Sequence, residues 1–320
     1  YCFGSDCLNS VLSSLLHATK ASINIEQNNN FLKYFIPTTF KLLCKGNNFY
    51  EKRFVYIRIN SLFCRKKSMT ITFLGTGTST GVPEIGCTCE VCTSKDPKDN
   101  RLRTSVLVED DNTRLLFDCG PDFRQQIMKQ PFKKIDAVFL SHEHYDHVGG
   151  IDDLRPFCRF GDINIYSNER VAQTIKQVMP YCFAQHPYPG IPKINMHTIK
   201  DDEILKINNF TITPINVLHG KLPIYGYRIN DIAYITDILT IPEAEYIKLR
   251  GLKTLIIGAL REAPHGSHET ITQAIENIKK IQPQQSFLIH MSHHAGLHSK
   301  LDAILPHNIH LAYDNLQITI

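Results

Sequence analysis

Long apolar segments are absent from this sequence of 320 residues. No stretch approaches the roughly eighteen consecutive apolar residues that a helix needs to span a bilayer, so no membrane association through such a helix is expected. The weakly apolar stretch 11–16 has no basic segment before it and no small-residue cleavage site after it, which argues against a secretion signal. The ten cysteines show no regular framework spacing. We therefore expect reduced thiols and a cytoplasmic location.

Positive charge is concentrated in the first part of the chain. Residues 1–68 contain ten Lys and Arg against three Asp and Glu, a net +7, and the overall net charge of +4 leaves −3 for residues 69–320. Met69 directly precedes the first predicted strand, and we expect residues 1–68 to be a non-native or disordered extension without function. A basic arm for nucleic acid and a targeting peptide are alternatives. The 252 residues from 69 to 320 are enough for one domain with a well-buried core.

Three imidazoles and a carboxylate follow directly on the apolar run 137–140. The segment reads Ser141-His142-Glu143-His144-Tyr145-Asp146-His147. A strand alternates its side chains between two faces, so His142, His144 and Asp146 share one face, and His147 joins them if the chain turns at Val148-Gly149-Gly150. Imidazole and carboxylate suit zinc, manganese or iron, and so dense a set can hold two ions. The segment therefore predicts a dinuclear metal site rather than a loop of solvated polar residues.

The pattern H-x-H-x-D-H after an apolar strand resembles the signature of the metallo-β-lactamase superfamily. Three further residues at the ends of apolar runs occur in the order that this superfamily has them: His219, Asp237 and His290. The resemblance implies two divalent ions, zinc or manganese, one held by His142, His144 and His219, and the other by Asp146, His147 and His290, with Asp237 as the bridge. It also implies an α/β fold, a four-layer αβ/βα sandwich.

A second metal signature lies upstream, where three thiols follow the spacing C-x-C-x-x-C: Cys87, Cys89 and Cys92. With the strand and Gly-Thr-Gly loop at 71–77, these thiols resemble the branch of the superfamily that contains PhnP-type cyclic phosphodiesterases. That resemblance implies His293 as the fourth ligand of a structural zinc. A disulfide and free thiols are the alternatives, but three thiols cannot all pair with one another.

Two residues are assigned roles by the same resemblance. Asp118 follows the apolar run 115–117, and it is expected to support the metal-binding histidines, with a surface cap as the alternative. His268 matches a histidine that lies beside the metals in the phosphodiesterases, and as an imidazolium it could bind phosphoryl oxygens or protonate an alkoxide leaving group. His265 is close enough in sequence to be confused with it. Asp146 is expected both to bind metal and to orient the nucleophile.

The sequence gives weaker signals for substrate-binding residues than for metal ligands. The glycine-rich segment 75–81 lacks the Gly-Lys-Ser/Thr ending of a P-loop, and it either cradles a phosphate with its backbone amides or only packs tightly. Thr78 and Ser79 in this segment are candidate substrate-binding residues. The segment 180–192 contains so many prolines that no regular element is expected there. We expect it to form a loop over the active site, with His186 as a substrate-binding residue, rather than a plain connection.

Strands and helices alternate along 69–320 in the way that an αβ/βα sandwich requires. Strands are predicted at 70–74, 104–108, 114–118, 136–140, 163–166, 210–217, 224–229, 232–236, 253–258 and 285–289, and helices at 122–129, 168–178, 242–249 and 270–281. The last helix has the clearest signal, because Thr270 and Gln273 have capping-box spacing and an apolar face follows them.

These features favour a metal-dependent phosphodiesterase acting on a small phosphorylated substrate, such as a cyclic phosphodiester. A tRNA 3′-processing nuclease is an alternative, but the net negative charge of 69–320 makes nucleic acid an unfavourable partner. Thioesterase-like or lactamase-like hydrolysis is a second alternative, and a zinc-stabilised binding module without enzymatic activity is a third. The sequence leaves a homodimer open.

Overall fold

The structure, a computed structural model, describes residues 24–28, 31–35, 68–186 and 188–320. The chain divides into two units, Tyr1–Arg65 and Lys66–Ile320. In the first unit, strands β1 (Asn24–Asn28) and β2 (Phe31–Phe35) pair in antiparallel fashion. The predicted extension 1–68 otherwise falls almost entirely outside the described residues, and its status stays a prediction.

Seven strands form the first sheet of the second unit. They are β3 (Thr70–Gly75), β4 (Ser105–Glu109), β5 (Arg114–Phe117), β6 (Ala137–Phe139), β7 (Ile163–Ser167), β8 (Ile194–Thr198) and β16 (Gln317–Thr319). Their order is β16-β3-β4-β5-β6-β7-β8. Pairing is antiparallel from β16 to β5 and parallel from β5 to β8. The carboxyl ends of β5, β6 and β7 therefore meet at one edge.

The second sheet also has seven strands. They are β9 (Leu205–Ile207), β10 (Phe210–His219), β11 (Leu222–Ile229), β12 (Ile232–Ile235), β13 (Thr254–Gly258), β14 (Gln285–Ile289) and β15 (Ile309–Leu311). Their order is β15-β14-β13-β12-β11-β10-β9. The parallel part runs from β12 to β15, so the carboxyl ends of β12 and β14 also share an edge.

Five α-helices lie in the second unit: α1 (Phe123–Ile127), α2 (Tyr145–Val148), α3 (Glu169–Val178), α4 (Ile271–Ile281) and α5 (His298–Asp302). Short 3₁₀ segments occur at Pro97–Asp99, Ile151–Phe160, Pro180–Phe183, Glu243–Leu249 and His293–Ala295. The capping box predicted for α4 is present, since the Thr270 hydroxyl accepts from Gln273 N and the Gln273 side chain accepts from Thr270 N. None of the helices in the described part of the chain has the length and apolar character needed to cross a bilayer.

Three apolar cores separate four layers. The central core contains aromatic residues from both sheets, among them Phe73, Phe117, Phe139, Tyr227 and Tyr234. One outer core joins the second sheet to the apolar face of α4, and the other joins the first sheet to α1, α3 and the 3₁₀ segment Ile151–Phe160. An apolar sheet face or helix stripe is stable only when another element covers it. The predicted four-layer α/β sandwich is confirmed.

Several local predictions were wrong. In the predicted α-helix 242–249, Glu243–Leu249 forms a 3₁₀ segment instead, and Pro180–Phe183 forms another inside the segment predicted to lack regular structure. Proline at the first position of a helical turn loses no intrahelical hydrogen bond, which explains the second case. The sequence also gave no prediction of four short strands, β8, β9, β15 and β16, nor of α2 and α5.

Candidate metal centre

The segment 141–147 leaves the first sheet where β6 ends. The turn that brings His147 beside the other ligands is the helix α2, which begins at Tyr145, so the predicted turn at 148–150 was placed too late. The backbone at Gly120 packs so closely on this helix that a Cβ there would lie 2.0 Å from the carbonyl oxygen of Asp146. A glycine is required at that position, because any side chain would displace the ligand-bearing turn.

Three overlapping groups of ligand atoms converge at the common edge of the two sheets. In each group the atoms lie within 4.8 Å of one another. The first group is His142, His144 and His219, and the second is Asp146, His147, Asp237 and His290. The third, His219, Asp237 and His268, shares one residue with each of the other two. Residues of α2 and of the segment between β6 and α2 thus meet the last residue of β10 and residues that follow β12 and β14 in the other sheet. The structure brings together all seven residues predicted for the dinuclear site, in the predicted division.

Asp237 lies between the two groups. Its Oδ1 is 3.1 Å from Nε2 of both His147 and His290, and its Oδ2 is 3.9 Å from Nε2 of His142. One carboxylate oxygen therefore faces each group, which is the arrangement that a bridging ligand needs. Asp146 Oδ2 lies 3.1 Å from His147 Nε2 and belongs to the second group alone.

The histidine tautomers fit metal binding. His219 Nδ1 lies 2.9 Å from the carbonyl oxygen of Ser267, so this nitrogen carries the proton and Nε2 keeps its lone pair. Among the described residues, Nε2 of His147 and both ring nitrogens of His290 are buried without a hydrogen-bond partner. Nε2 of His147 and Nε2 of His290 each lie 3.1 Å from a carboxylate oxygen, a contact that is favourable when either a ring proton or a bound cation lies between the two atoms. The donor set therefore fits divalent cations.

Electrostatics at the site follow from the same packing. Burial opposes charge on His147, but Asp237, Asp146 and Asp118 raise its pKa well above the ordinary value. Burial would raise the pKa of Asp237, but His290 and His147 hold it well below the ordinary range. Burial, and then the charge of His147, lowers the pKa of His142 well below its ordinary value. The carboxylates of Asp237 and Asp146, whose pKa values the neighbouring histidines hold low, are thus kept ionised, which favours bound cations.

Three residues of the site have left-handed backbone conformations, which are strained. Asp118, Asp237 and His290 each follow a strand and have φ angles of 58°, 51° and 59°. Left-handed backbone is uncommon outside glycine, and it costs on the order of 1 kcal/mol at such residues. The conformation turns each side chain from the end of its strand towards the shared edge.

Asp118 contacts the histidines from behind. It is fully buried, its Oδ2 lies 2.8 Å from His147 Nδ1, and its Oδ1 accepts from the Ser141 amide at 2.8 Å. The Ser141 hydroxyl also donates to Oδ2 and lies 3.0 Å from His142 Nδ1. One carboxylate thus orients His147 directly and His142 through a serine. A surface cap is incompatible with this burial.

His268 lies beside the metal ligands, whereas His265 is exposed. The His268 ring centroid is 4.6 Å from that of His219 and 4.9 Å from that of His290, and its Nδ1 is 4.0 Å from Asp237 Oδ2. Burial and the neighbouring His290 lower the pKa of His268 to about 3. The ring is therefore neutral near pH 7 in this arrangement, unlike the imidazolium expected from sequence, and a bound phosphate anion would shift it back towards the charged form.

The thiols predicted to bind a structural metal also cluster. Cys87, Cys89, Cys92 and His293 form one group of ligand atoms. Sγ of Cys87 and of Cys89 lie 3.4 and 3.3 Å from His293 Nδ1. Tetrahedral zinc with ordinary bond lengths would place sulfur and nitrogen about 3.6 Å apart. The hydrogen bond from His293 lowers the pKa of Cys89 to about 6, whereas burial raises that of Cys92 to about 11.

Glu84, which sequence reasoning missed, lies behind this cluster. Its Oε2 is 3.1 Å from Nε2 of His293, the ring nitrogen opposite the one that faces the thiols. Carboxylates in this position fix the tautomer and orientation of a metal-binding histidine. No local pattern marks Glu84, because its partner lies more than two hundred residues away in sequence.

A metal measurement tests this cluster. We expect about three metal ions per chain in fully loaded protein and about two after Cys89→Ser, with a lower midpoint of thermal unfolding. The matched control is Cys182→Ser, a half-buried thiol in the segment Pro180–Phe183, which should keep three. Two or fewer ions in the wild type, or three in Cys89→Ser, would contradict the assignment of Cys87, Cys89, Cys92 and His293.

Three backbone amides of the glycine-rich segment 75–81 are hydrogen-bonded within the protein, and a phosphate cradle formed by this segment stays a prediction. The amides of Gly77, Thr78 and Gly81 donate to protein carbonyls. A Cβ at Gly77 would lie 2.7 Å from the carbonyl oxygen of Arg101, so the glycine serves close packing. Substrate binding by the side chains of Thr78 and Ser79 stays a prediction. So does binding by His186, which is exposed and outside the ligand-atom groups of the described residues.

Arg170, which no sequence pattern marked, contacts both segments that carry the first ligand group. Arg170, on α3, forms an ion pair of 2.9 Å with Glu143, the residue between His142 and His144. Its guanidinium also donates to the carbonyl oxygen of Pro223, which pairs with Leu218 beside His219. A single side chain thus ties the two segments that carry the first ligand group.

Comparisons with known proteins agree with this geometry. Residues 113–291 match the sequence profile of the family described as Beta-lactamase superfamily domain. A crystal structure described as a new diphosphatase from the PhnP family is 39% identical, with a TM-score of 0.74, and the match covers 79% of this chain and 97% of that chain. The ribonuclease Z of Bacillus licheniformis is 26% identical over 251 residues, 69% of this chain and 75% of that protein.

An octanoyltransferase of Porphyromonas gingivalis is 44% identical over 254 residues, which are 79% of this chain and 52% of that protein. This chain therefore spans about half the length of that relative. The matched family profile covers more than half of the chain, including the segment 141–147. The chain belongs to the metallo-β-lactamase superfamily of hydrolases and is close to its PhnP-type members.

Proposed function

We propose that this protein is a metal-dependent phosphodiesterase that acts on a small phosphorylated substrate, such as a cyclic phosphodiester. The observation that carries the proposal is the complete set of seven dinuclear-site ligands, with the buried His268 beside it. The PhnP-family diphosphatase and the ribonuclease Z relatives support phosphorus–oxygen bond hydrolysis. The charge of 69–320 supports a small substrate, since RNA binding requires many cationic contacts.

The chemistry divides among the residues of the site. Two divalent ions held there would lower the pKa of water and offset the negative charge of the phosphate. Asp146 is positioned to orient the attacking water, and its carboxylate is ionised because His147 and His290 outweigh the effect of burial on its pKa. Water adds to phosphorus, the bond to the leaving oxygen breaks, and His268 stabilises or protonates that oxygen.

Acyl chemistry is the second candidate, because a relative at 44% identity is named octanoyltransferase. That name belongs to a protein about twice as long as the matched region. Acyl transfer through a covalent intermediate requires a nucleophile such as a cysteine. In the described residues the dinuclear ligand groups contain only histidine and aspartate, and the thiols of Cys87, Cys89 and Cys92 form a separate group with His293. Direct hydrolysis therefore suits the site better.

One substrate panel separates these candidates. Purified protein with measured metal content is assayed on small cyclic phosphodiesters, a diphosphate diester, bis-p-nitrophenyl phosphate, precursor tRNA and an octanoyl thioester. We expect the highest kcat/KM on a small phosphate ester or diphosphate, and loss of that activity after chelation. Turnover of only the thioester, or of only precursor tRNA, would refute the proposal. The variant Asp146→Asn, purified in the same way, measures any background activity from contaminating enzymes.

A further inference from the structure

Asp118 is held from both sheets of the sandwich. It follows β5 in the first sheet, and its Oδ2 accepts from the hydroxyl of Tyr234, on β12 of the second sheet, at 2.7 Å. Tyr234 is buried, with 1% of its surface exposed. This hydrogen bond crosses the central core and joins the carboxylate that orients His147 to the strand that leads into Asp237.

We infer that Tyr234 is a positioning residue of the metal centre, which fixes the separation between the ligands of the two sheets. The ligands on one side, His142 and His147, take their orientation from Asp118. On the other side, Asp237 is three residues beyond Tyr234 on the same strand end. A shift of β12 relative to β5 would separate Asp237 from His147, and the hydroxyl contact with Asp118 resists it.

The competing interpretation is that the hydroxyl only satisfies a buried carboxylate and contributes to stability. Tyr227 offers a matched comparison, because it pairs with Tyr234 across β11 and β12 and is equally buried. Its hydroxyl also donates one hydrogen bond, at 2.6 Å, but to the carbonyl oxygen of Leu140 instead of Asp118. Replacing either tyrosine by phenylalanine removes one buried hydrogen bond. Only Tyr234→Phe removes a hydrogen bond to Asp118.

The test measures metal affinity by titrating full-length protein with Zn²⁺ against a chromophoric chelator, alongside thermal unfolding. Removing partners that orient metal-binding histidines typically weakens metal binding by about 10- to 100-fold. We expect Tyr234→Phe to raise the dissociation constant of the weaker dinuclear-site ion about tenfold, and Tyr227→Phe to change it less than about twofold. Both variants should unfold at lower temperature.

Two further variants keep the inference open to refutation. Asp118→Asn combined with Tyr234→Phe should weaken metal binding no more than Asp118→Asn alone, because residues that act through one contact are not additive. Ser141→Ala removes another donor to Oδ2 and should also weaken it. A wild-type dissociation constant in Tyr234→Phe, equal shifts in both tyrosine variants, or additivity with Asp118→Asn would overturn the inference.

The inference rests on the metal centre of the proposed function and not on its substrate. If wild-type protein binds no dinuclear pair of ions, the proposed function itself fails. If wild-type protein binds both ions and Tyr234→Phe binds them equally well, only the role of Tyr234 is rejected.

Discussion

Replacing Asp146 with Asn is expected to reduce turnover by at least about 10³-fold, the largest effect of any single change in this protein. Asp146 belongs to the second ligand group and lies 3.1 Å from His147 Nε2. The asparagine is nearly the same size, so packing is retained while the negative charge is lost. The change is therefore expected to weaken binding of one ion and to remove the carboxylate proposed to orient the attacking water.

Metal content and activity should change together in this variant. We expect one ion fewer per chain and unchanged occupancy of the cysteine cluster. Asp153→Asn is a suitable control, since Asp153 is an exposed carboxylate a few residues further along the chain, outside the ligand groups. That variant should keep full activity and metal content. Activity within about tenfold of wild type in Asp146→Asn would show that hydrolysis does not use this centre.

The metal ligands could be predicted from sequence because their signals are local or ordered. The segment 141–147 contains four ligands, and His219, Asp237 and His290 each end an apolar run. The meeting of these residues and the four-layer sandwich were predicted from the resemblance to the metallo-β-lactamase superfamily, which rests on the order of these motifs along the chain. The alternation of strand and helix patterns agreed with that fold, because buried strands such as β10 and β13 are rich in apolar residues.

The missed elements have weak patterns. Strands β9 and β16 are edge strands of three residues with partly exposed side chains, and three residues are too few to show the alternation of a strand. The turn at Tyr145–Val148 was misplaced because the glycines at 149 and 150 dominate the local signal, although the helix begins before them. A helical turn of four residues carries too little periodicity to recognise.

The residues that contact the ligands or their neighbours could not be predicted from the sequence. The partners of Tyr234, Glu84 and Arg170 lie far away along the chain. In the sequence each of the three looks like an ordinary core or surface residue. The phosphate-cradle interpretation of 75–81 overlooked the neighbouring segment 101–103, which accepts hydrogen bonds from the amides of Gly77 and Val82. Such pairings follow from tertiary structure, and a single sequence contains no record of them.

Replacing His268 with Ala is expected to leave metal content intact and to reduce kcat by about 10²- to 10⁴-fold, as removal of a general acid does. His268 lies beside His219, His290 and Asp237 without belonging to the seven predicted ligands. The neighbouring His265→Ala serves as the control, because His265 is exposed and its loss should leave kcat unchanged. Full metal content in both variants separates catalysis from metal binding.

The leaving group decides what His268 does. A poor leaving group, such as an alkyl alcohol, needs a proton as its bond to phosphorus breaks, whereas p-nitrophenolate leaves without one. If His268 supplies that proton, His268→Ala should slow hydrolysis of an alkyl phosphodiester far more than that of bis-p-nitrophenyl phosphate. Because the ring is neutral near pH 7 before substrate binds, proton donation also requires the phosphate anion to raise its pKa. Equal losses of rate on both substrates would reject His268 as the acid and leave it a residue that binds the phosphate through a hydrogen bond. A loss of metal in His268→Ala would instead place His268 among the metal ligands.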